Sequence, residues 1–585
     1  MRFRWSVAPA SPALAGQLAR QCGISPLFAQ CLINRGLHDP AGIAAYIEPR
    51  LRGLSDPFLL PGMEAAVQRL FAARERGEQV TILGDYDVDG VTSTTLLLEF
   101  LQTLGWRVQA YIPDRFDEGY GLSLEAVDNC LKRYPAQLLL AVDCGSTSVQ
   151  SIARLKSLGV DVIVLDHHQI SDPAPAAVAL VNPRLLCPVP VSPGGTEAPA
   201  RAATQDLCSA GLAFKLAHAL LKRGREQGLP GAMDFDLRNC LDLVALGTVA
   251  DLVPLLGENR ILVATGLERL SQTKRPGLIA LKEVSRCNER LGPVDVGFQL
   301  APRLNAAGRV ETAQDALNLL TAKDPKEAAE LAQKLDTLNR ERQRLERSIA
   351  GEAMEVVRAR FNPDQDYVIV EGQDLWHVGV VGIVASRVLQ QFYRPTIIVG
   401  SDGVCFRGSG RSIQGFDLAA ALRECGDLLL RHGGHAMAAG VSLSPQNLEA
   451  FRSRLNEVAR TRLKAEDLQR VLRIDCEATL GDLTLAHAAA CEKIEPCGQG
   501  NPLLHFFARN LTQQKPFMRM GAEKQHVKMW VTDGKTTHEA VWWGAGKEPL
   551  PEGRFDLAFV PEINEYNGRK TVQLKVLDWR DSTPS

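Results

Sequence analysis

Short apolar runs recur along the first half of the chain, with helix-length amphipathic segments between them. Val80-Thr81-Ile82-Leu83, Leu138-Leu139-Leu140-Ala141-Val142 and residues 160–165, interrupted only by Asp161, have the length of buried strands. Residues 91–101 and 149–158 have the spacing of helices. Strands buried on both faces read as unbroken apolar runs, and strands separated by helices pair in parallel. The first half is therefore predicted to be a series of β-α units around a largely parallel sheet. Residues 325–361 follow another rhythm, with one Gly and no further Pro after Pro325. Leu331, Leu335, Leu338, Leu345 and Ile349 there recur at the steps of a long amphipathic helix. Beyond about 465 the pattern turns to period two, in His526-Val527-Lys528-Met529-Trp530-Val531, Glu539-Ala540-Val541-Trp542-Trp543 and Thr571-Val572-Gln573-Leu574-Lys575-Val576-Leu577. Tyr566-Asn567-Gly568-Arg569 supplies a hairpin turn, and a small barrel of the OB type fits.

These patterns divide the chain, whose 585 residues exceed what one core holds. The division is a helical lead-in over 1–55, a parallel-sheet α/β domain over 56–320, a long connecting helix over 321–363, a second α/β domain over 364–460 and the barrel over 465–585. Pro188, Pro190, Pro193, Gly194, Gly195 and Pro199 mark 188–205 as a flexible surface loop. The N-terminus carries Arg2 and Arg4 but continues in Ala, Pro and Ser, and no run approaches membrane-spanning length, so a soluble, cytoplasmic protein is expected. Thirteen scattered cysteines without a C-x-x-C pair favour reduced thiols over disulfides or a zinc cluster. A net charge of −2 excludes a protein that coats nucleic acid indiscriminately, so any such contact must come from local patches. The arginines of 338–347 read as an ion-paired helix face rather than one of those patches.

The chemistry gathers where the apolar runs stop. Asp85, Asp87 and Asp89 follow the first run at spacing i, i+2, i+4, with Gly90 behind them. Carboxylates this close repel one another unless a cation offsets the charge. A calcium loop of the EF-hand type is the rival reading, but its twelfth position is Leu96 where a bidentate Glu is required. A solvated acidic turn would account for one such motif alone. It does not account for Asp143-Cys144-Gly145 and Asp166-His167-His168 at the next two strand ends, or for Asp251 after the apolar segment 241–246. Ligands of parallel sheets bind outside the carboxyl ends of the strands, so these groups converge if the strands are neighbours. Mixed carboxylate and imidazole ligation favours Mn²⁺ or Mg²⁺, and the ligand count suits two ions.

The order of Asp85-Tyr86-Asp87-Val88-Asp89-Gly90, Asp143-Cys144-Gly145, Asp166-His167-His168 and Gly247-Thr248-Val249-Ala250-Asp251 resembles the four motifs of the DHH phosphoesterase superfamily. Asn34-Arg35-Gly36, the stretch 115–121, Ala301-Pro302-Arg303-Leu304-Asn305-Ala306-Ala307-Gly308-Arg309 and the stretch 376–387 are similar to the RecJ family within it. Arg407-Gly408-Ser409-Gly410-Arg411-Ser412 and 432–440 resemble its DHHA1 domain. The resemblance implies a DHH domain joined by the long helix to a DHHA1 domain, plus a C-terminal OB-type barrel. It implies a metal-dependent 5′-to-3′ exonuclease of single-stranded DNA that releases 5′-mononucleotides by attack of metal-activated water, acting in repair and recombination. Asp85, Asp87, Asp89, Asp143, His167 and Asp251 are the expected ligands, with His168 beside them and Asp166 orienting an imidazole. By resemblance Arg115, Arg303, Ser409 and Arg411 would hold phosphates of the strand and His435 would lie near the scissile group. Trp530, Trp542, Trp543, Tyr566 and Trp579 are the rings available for base stacking, although alternating Trp on strands is usually core. Single-stranded-DNA-binding protein and a RecQ-type helicase are the partners the family implies, and a monomer is expected. An inorganic pyrophosphatase, a small-molecule phosphodiesterase, a noncatalytic scaffold and a metal-stabilised structural domain are the alternatives. None of the four needs the retained acids, the phosphate-type glycine-rich turns at 408–412 and 433–435 and the barrel together.

Overall fold

The computed structural model describes residues 3–115, 117–119, 121–186, 204–401 and 403–582; all but residues 204 and 205 of the stretch read as a loop at 188–205 lie outside them. Contacts divide the chain into two units, one of Glu48–Glu341 with Glu495–Pro502 and one of Met1–Ile47, Arg342–Ile494 and Leu503–Ser585. The division falls inside a single helix, Pro325–Arg360.

After β1 (Arg4–Val7), the next five strands are β2 (Gln79–Gly84), β3 (Arg107–Tyr111), β4 (Leu138–Val142), β5 (Asp161–Leu165) and β6 (Ala179–Val181). They form one parallel sheet in the order β3-β2-β4-β5-β6. The unbroken apolar runs have a simple cause, since both faces of the sheet are covered. Leu138, Leu140, Val142, Ile163 and Leu165 pack with the helices Val88–Thr103, Ser209–Glu226 and Leu241–Ala250. Leu139, Ala141, Val162 and Val164 point the other way, to Leu124–Arg133 and Val149–Ser157. The chain runs from β2 outward to β3 and then returns to the opposite side of β2 as β4. The carboxyl ends of β2 and β4 therefore flank the point where the strand order reverses, which is where such sheets open a crevice.

In the other unit, β7 (Ile369–Gln373), β8 (Thr396–Ser401), β9 (Phe406–Arg411), β10 (Arg431–Gly434) and β11 (Ala438–Leu443) form a sheet in the order β10-β11-β9-β8-β7. Only β7 and β8 are parallel there, joined through the helix Val381–Phe392. The glycine-rich stretches read as turns are strands: Gly408 and Gly410 sit in β9, and Gly433 and Gly434 in β10. Glycine inside a strand marks a close approach. A Cβ on Gly408 would stand 2.2 Å from the Ile398 carbonyl oxygen, and one on Gly410 2.6 Å from a Leu418 methyl.

The lead-in is not wholly helical, because β1 pairs in parallel with β12 (Val471–Ile474). Four residues are too few to show a period, and the partner lies more than 450 residues away. After β13 (Cys476–Glu477), the strands β14 (Phe506–Met520), β15 (His526–Thr532), β16 (Thr537–Trp542), β17 (Phe555–Tyr566) and β18 (Arg569–Asp581) run in the order β14-β15-β16-β18-β17, and β17 pairs back onto β14. That closes a five-stranded barrel with the OB strand order. Asn567 and Gly568, at φ 50° and 74°, make the predicted β17–β18 turn.

Candidate metal centre and phosphate-binding strand

Three acids are placed by the sheet itself. The Asp85 amide donates to Val142 O, the Asp143 amide to Leu165 O and the Asp166 amide to Val181 O, each one step beyond its strand. Adjacent parallel strands in register thus deliver three carboxylates side by side at one edge. Asp143 occupies the left-handed region at φ 62°, a strained conformation for a residue with a side chain and one that concentrates at functional sites. Asp87 caps the helix Val88–Thr103, its Oδ1 accepting from the amides of Asp89 (2.9 Å) and Gly90 (3.2 Å). Gly90 is required because a Cβ there would meet the Asp85 carbonyl at 2.4 Å. Asp251 arrives differently, as the C-terminal cap of Leu241–Ala250, an apolar helix buried nearly all round.

His167 stands among these groups, with Nε2 3.4 Å from Asp143 Oδ1, 3.5 Å from Asp251 Oδ2 and 3.9 Å from Asp89 Oδ2. His168 is turned by Asp166, whose Oδ1 lies 2.8 Å from His168 Nδ1 and also accepts both backbone amides of the histidine pair. Three sets of ligand atoms lie within cation-sized spaces: Asp143 with His167 and His168, Asp89 with His167 and Asp251, and Asp85 with Asp87 and Asp143. Asp143 belongs to two of them, so it can bridge two ions.

The electrostatics call for a cation. Burial, and then the neighbouring carboxylates, push Asp85 and Asp143 well above the usual carboxylate range, Asp89 up to about 6 and Asp251 up to about 9. Burial opposes ionisation of Asp166 too, but the hydrogen bond and charge of His168 outweigh it and hold that carboxyl well below the ordinary value. The same contact outweighs burial for His168 and raises it to about 9. Asp85 Oδ1 and Asp251 Oδ2 are buried with no hydrogen-bond partner among the described residues. Buried carboxylate oxygens without donors, beside imidazole nitrogens, fit divalent-cation ligation.

Sequence reasoning missed what holds Asp89. The amides of Ser209 and Ala210 donate to its Oδ2 and Oδ1 at 2.7 and 2.8 Å, and Ser209 Oγ donates to Asp143 Oδ1 at 2.9 Å. Ser209 opens a helix whose cap position, Cys208, makes no side-chain cap, so no local pattern flags it. Asn305 Oδ1 likewise accepts from the Val88 amide.

Of the expected phosphate-binding residues, Arg115 lies over the Tyr86 ring at 5.2 Å and its charge acts on Asp85. Arg303 is held by Asp336 (2.9 Å) and the Gln299 carbonyl. Ser409, Arg411 and His435 belong to the other unit. There Arg411 Nη1 donates to Ser409 Oγ (2.7 Å) and Gly410 O (2.8 Å). A Cβ on Gly382 would stand 3.2 Å from Ser409 Oγ and 3.3 Å from Arg411 Nη2, so these groups lie against the first turn of Val381–Phe392. Hydroxyl, guanidinium and helix amides together suit a phosphate. The His435 amide donates to Ala438 O in the β10–β11 connection. In the barrel Trp542 is buried, Trp530 is flanked by Lys515 and Lys528, and Trp579 donates to Pro549 O. Trp543 and Tyr566 are 53% and 74% exposed.

A parallel sheet whose strand-end acids meet an Asp-His-His run in cation-sized clusters defines a phosphoesterase of the DHH class, and the model of the DHH family, N-terminal domain, matches 79–248. The DHHA1 domain model matches 364–461 and the RecJ OB domain model 474–578. A single-stranded-DNA-specific exonuclease RecJ of Bacillus subtilis (strain 168) is 38% identical over 588 residues, 99% of this chain and 71% of that protein. A crystal structure of RecJ in complex with Mn²⁺ from Thermus thermophilus superposes with a TM-score of 0.83 at 30% identity, covering 100% of this chain and 80% of that one. The corresponding Mg²⁺ complex gives 0.77 at 29% identity, over 100% and 79% of the two chains. The chain belongs to the RecJ family of single-stranded-DNA-specific exonucleases.

Proposed function

We propose that the protein is a Mn²⁺- or Mg²⁺-dependent exonuclease that removes 5′-mononucleotides from single-stranded DNA in the 5′-to-3′ direction, in DNA repair and recombination. The observation that carries this reading is the pair of cation-sized clusters sharing Asp143 at the switch point of the sheet. Asp85, Asp87, Asp89, Asp143, His167 and Asp251 would hold two ions. When bound, such ions supply Lewis acidity that favours ionised water near neutral pH and offsets charge on the phosphoryl oxygens. Asp166 fixes the His168 ring and keeps its Nε2 directed away from that contact. Arg115 and Arg303 face the strand's phosphates, Ser409 and Arg411 grip the terminal 5′-phosphate, and His435 lies close to the scissile group. Exposed rings of the barrel stack on bases. The same reading includes a monomer in the cytoplasm that works with single-stranded-DNA-binding protein and a RecQ-type helicase; among the described residues no helix is long and apolar enough to cross a membrane.

One comparison separates this from the other phosphoesterase classes. Release of mononucleotides from 5′-phosphorylated single strands is measured beside hydrolysis of pyrophosphate and of pApA, with Asp143→Ala as control. Rapid cleavage of the single strand alone, lost in chelator and in Asp143→Ala, is expected. Preference for either small substrate would reject the exonuclease reading.

A further inference from the structure

The Asp143 carboxylate is shared by two of the three cation-sized clusters, so its orientation sets both. Its backbone sits at φ 62°, outside the conformations that would aim a side chain by default. Among the described residues the group that donates to it is Ser209 Oγ, fully buried, at 2.9 Å from Oδ1. The same residue's amide, with that of Ala210, holds both oxygens of Asp89, which belongs to the third cluster. Asp89 thus takes the place of the missing cap on the 18-residue helix Ser209–Glu226, from 120 residues away. The helix packs so closely on this site that a Cβ on Gly247 would come 2.7 Å from Ala210 Cβ and 3.0 Å from Asp89 Oδ1. One rigid element therefore carries fixed donors to two carboxylates of the centre.

We propose that Ser209 is a positioning residue of the metal centre, its hydroxyl orienting Asp143 and its amide orienting Asp89 so that their remaining lone pairs converge on the ions. The inference rests on the metal reading of the site. Outer donors of this kind act by limiting the rotation of a ligand, so their removal weakens metal binding before it disturbs the fold.

The test is a Mn²⁺ titration of the full-length protein, following the paramagnetic resonance of the free ion, with melting in chelator as the fold control. Ser209→Ala should raise the Mn²⁺ dissociation constant about 10- to 100-fold, and Ser209→Thr, which keeps the hydroxyl, should bring it back to within about threefold of wild type. Ser209→Cys, nearly isosteric with a poor donor, should lose affinity like the alanine variant and serves where alanine leaves the protein unfolded. Wild-type affinity in Ser209→Ala or Ser209→Cys, or equal losses in the alanine and threonine variants, would overturn the proposal while leaving the metal reading in place. Failure of the wild type to bind Mn²⁺, or undiminished binding by Asp143→Ala, would overturn both.

Discussion

At the scale of single residues, burial and the neighbouring carboxylates raise Asp85, Asp89, Asp143 and Asp251 above the usual carboxylate range. In metal-free protein Asp89, raised to about 6, and Asp251, raised to about 9, hold protons that the unfolded chain has released by about pH 4. His168, also raised to about 9, holds a proton that an unfolded histidine gives up near 6.5. The folded state therefore binds more protons through the window from about pH 4 to 9, and raising the pH across it destabilises the metal-free protein. Asp166, shifted downward, loses its contribution only on the acid side of that window. The expected outcome is a melting temperature in chelator that falls from about pH 5.5 to 8.5, with stabilisation by Mn²⁺ growing over the same range as ions replace protons. A metal-induced shift independent of pH would contradict the cluster's electrostatics. Arg411 gives a second prediction. Arg411→Ala should slow degradation of a 5′-phosphorylated strand at least about tenfold more than that of a 5′-hydroxyl strand, because a charge-assisted contact is lost only in the former. End-labelled single strands read this directly, and equal slowing would assign Arg411 another task.

At the scale of elements, what locks the helices of the catalytic unit together includes a buried ion pair. Lys215, on Ser209–Glu226, lies 2.9 Å from Glu258 on Gly257–Ser271, and both side chains are sealed from solvent. Lys215 also donates to the Ser55 carbonyl, and Glu258 accepts from the Ser55 amide and hydroxyl. Glu258→Gln leaves a buried ammonium without its counter-charge and should cost about 3–5 kcal/mol, whereas the double change Lys215→Met with Glu258→Leu should be markedly less harmful. Thermal melts of the three proteins decide it. A double variant as unstable as Glu258→Gln would show that the hydrogen bonds to Ser55, rather than the charge pairing, hold these elements.

At the scale of the whole molecule, the barrel cannot be removed cleanly. Residues after 464 include β12, which pairs with β1, and Glu495–Pro502, which belongs to the catalytic unit. There Arg260 donates to the carbonyls of Glu495 and Pro496, and the Leu255 amide to Gln499 O. Truncation after Lys464 should therefore lower the melting temperature of what remains. The sharper test of grip keeps the chain whole. Trp543 is exposed and packs edge-on with His526 at 4.7 Å, so Trp543→Ala should weaken binding of long single strands by about 1–3 kcal/mol without changing the melting temperature. Trp542→Ala should do the reverse, because that ring is core. Equal effects of the two on DNA affinity would reject Trp543 as a stacking surface.

The amino-acid sequence by itself determined the strands that end in Asp85, Asp143 and Asp166, because burial on both faces leaves an unbroken apolar run that stops at the acid. It also determined the long helix and the β17–β18 turn, where the signal lies within a few neighbouring residues. Tertiary structure decided the rest. Parallel register set three strand-end acids abreast, a buried helix rather than a strand brought in Asp251, and Ser209 came from a segment with no cap of its own. The glycines of β9 and β10 were read as turns because close packing by a neighbouring carbonyl or methyl leaves no trace in local sequence. β1 was hidden for the same reason. Contacts between distant segments are chosen by the free energy of the assembled fold, and a local pattern carries no record of which distant partner satisfies it.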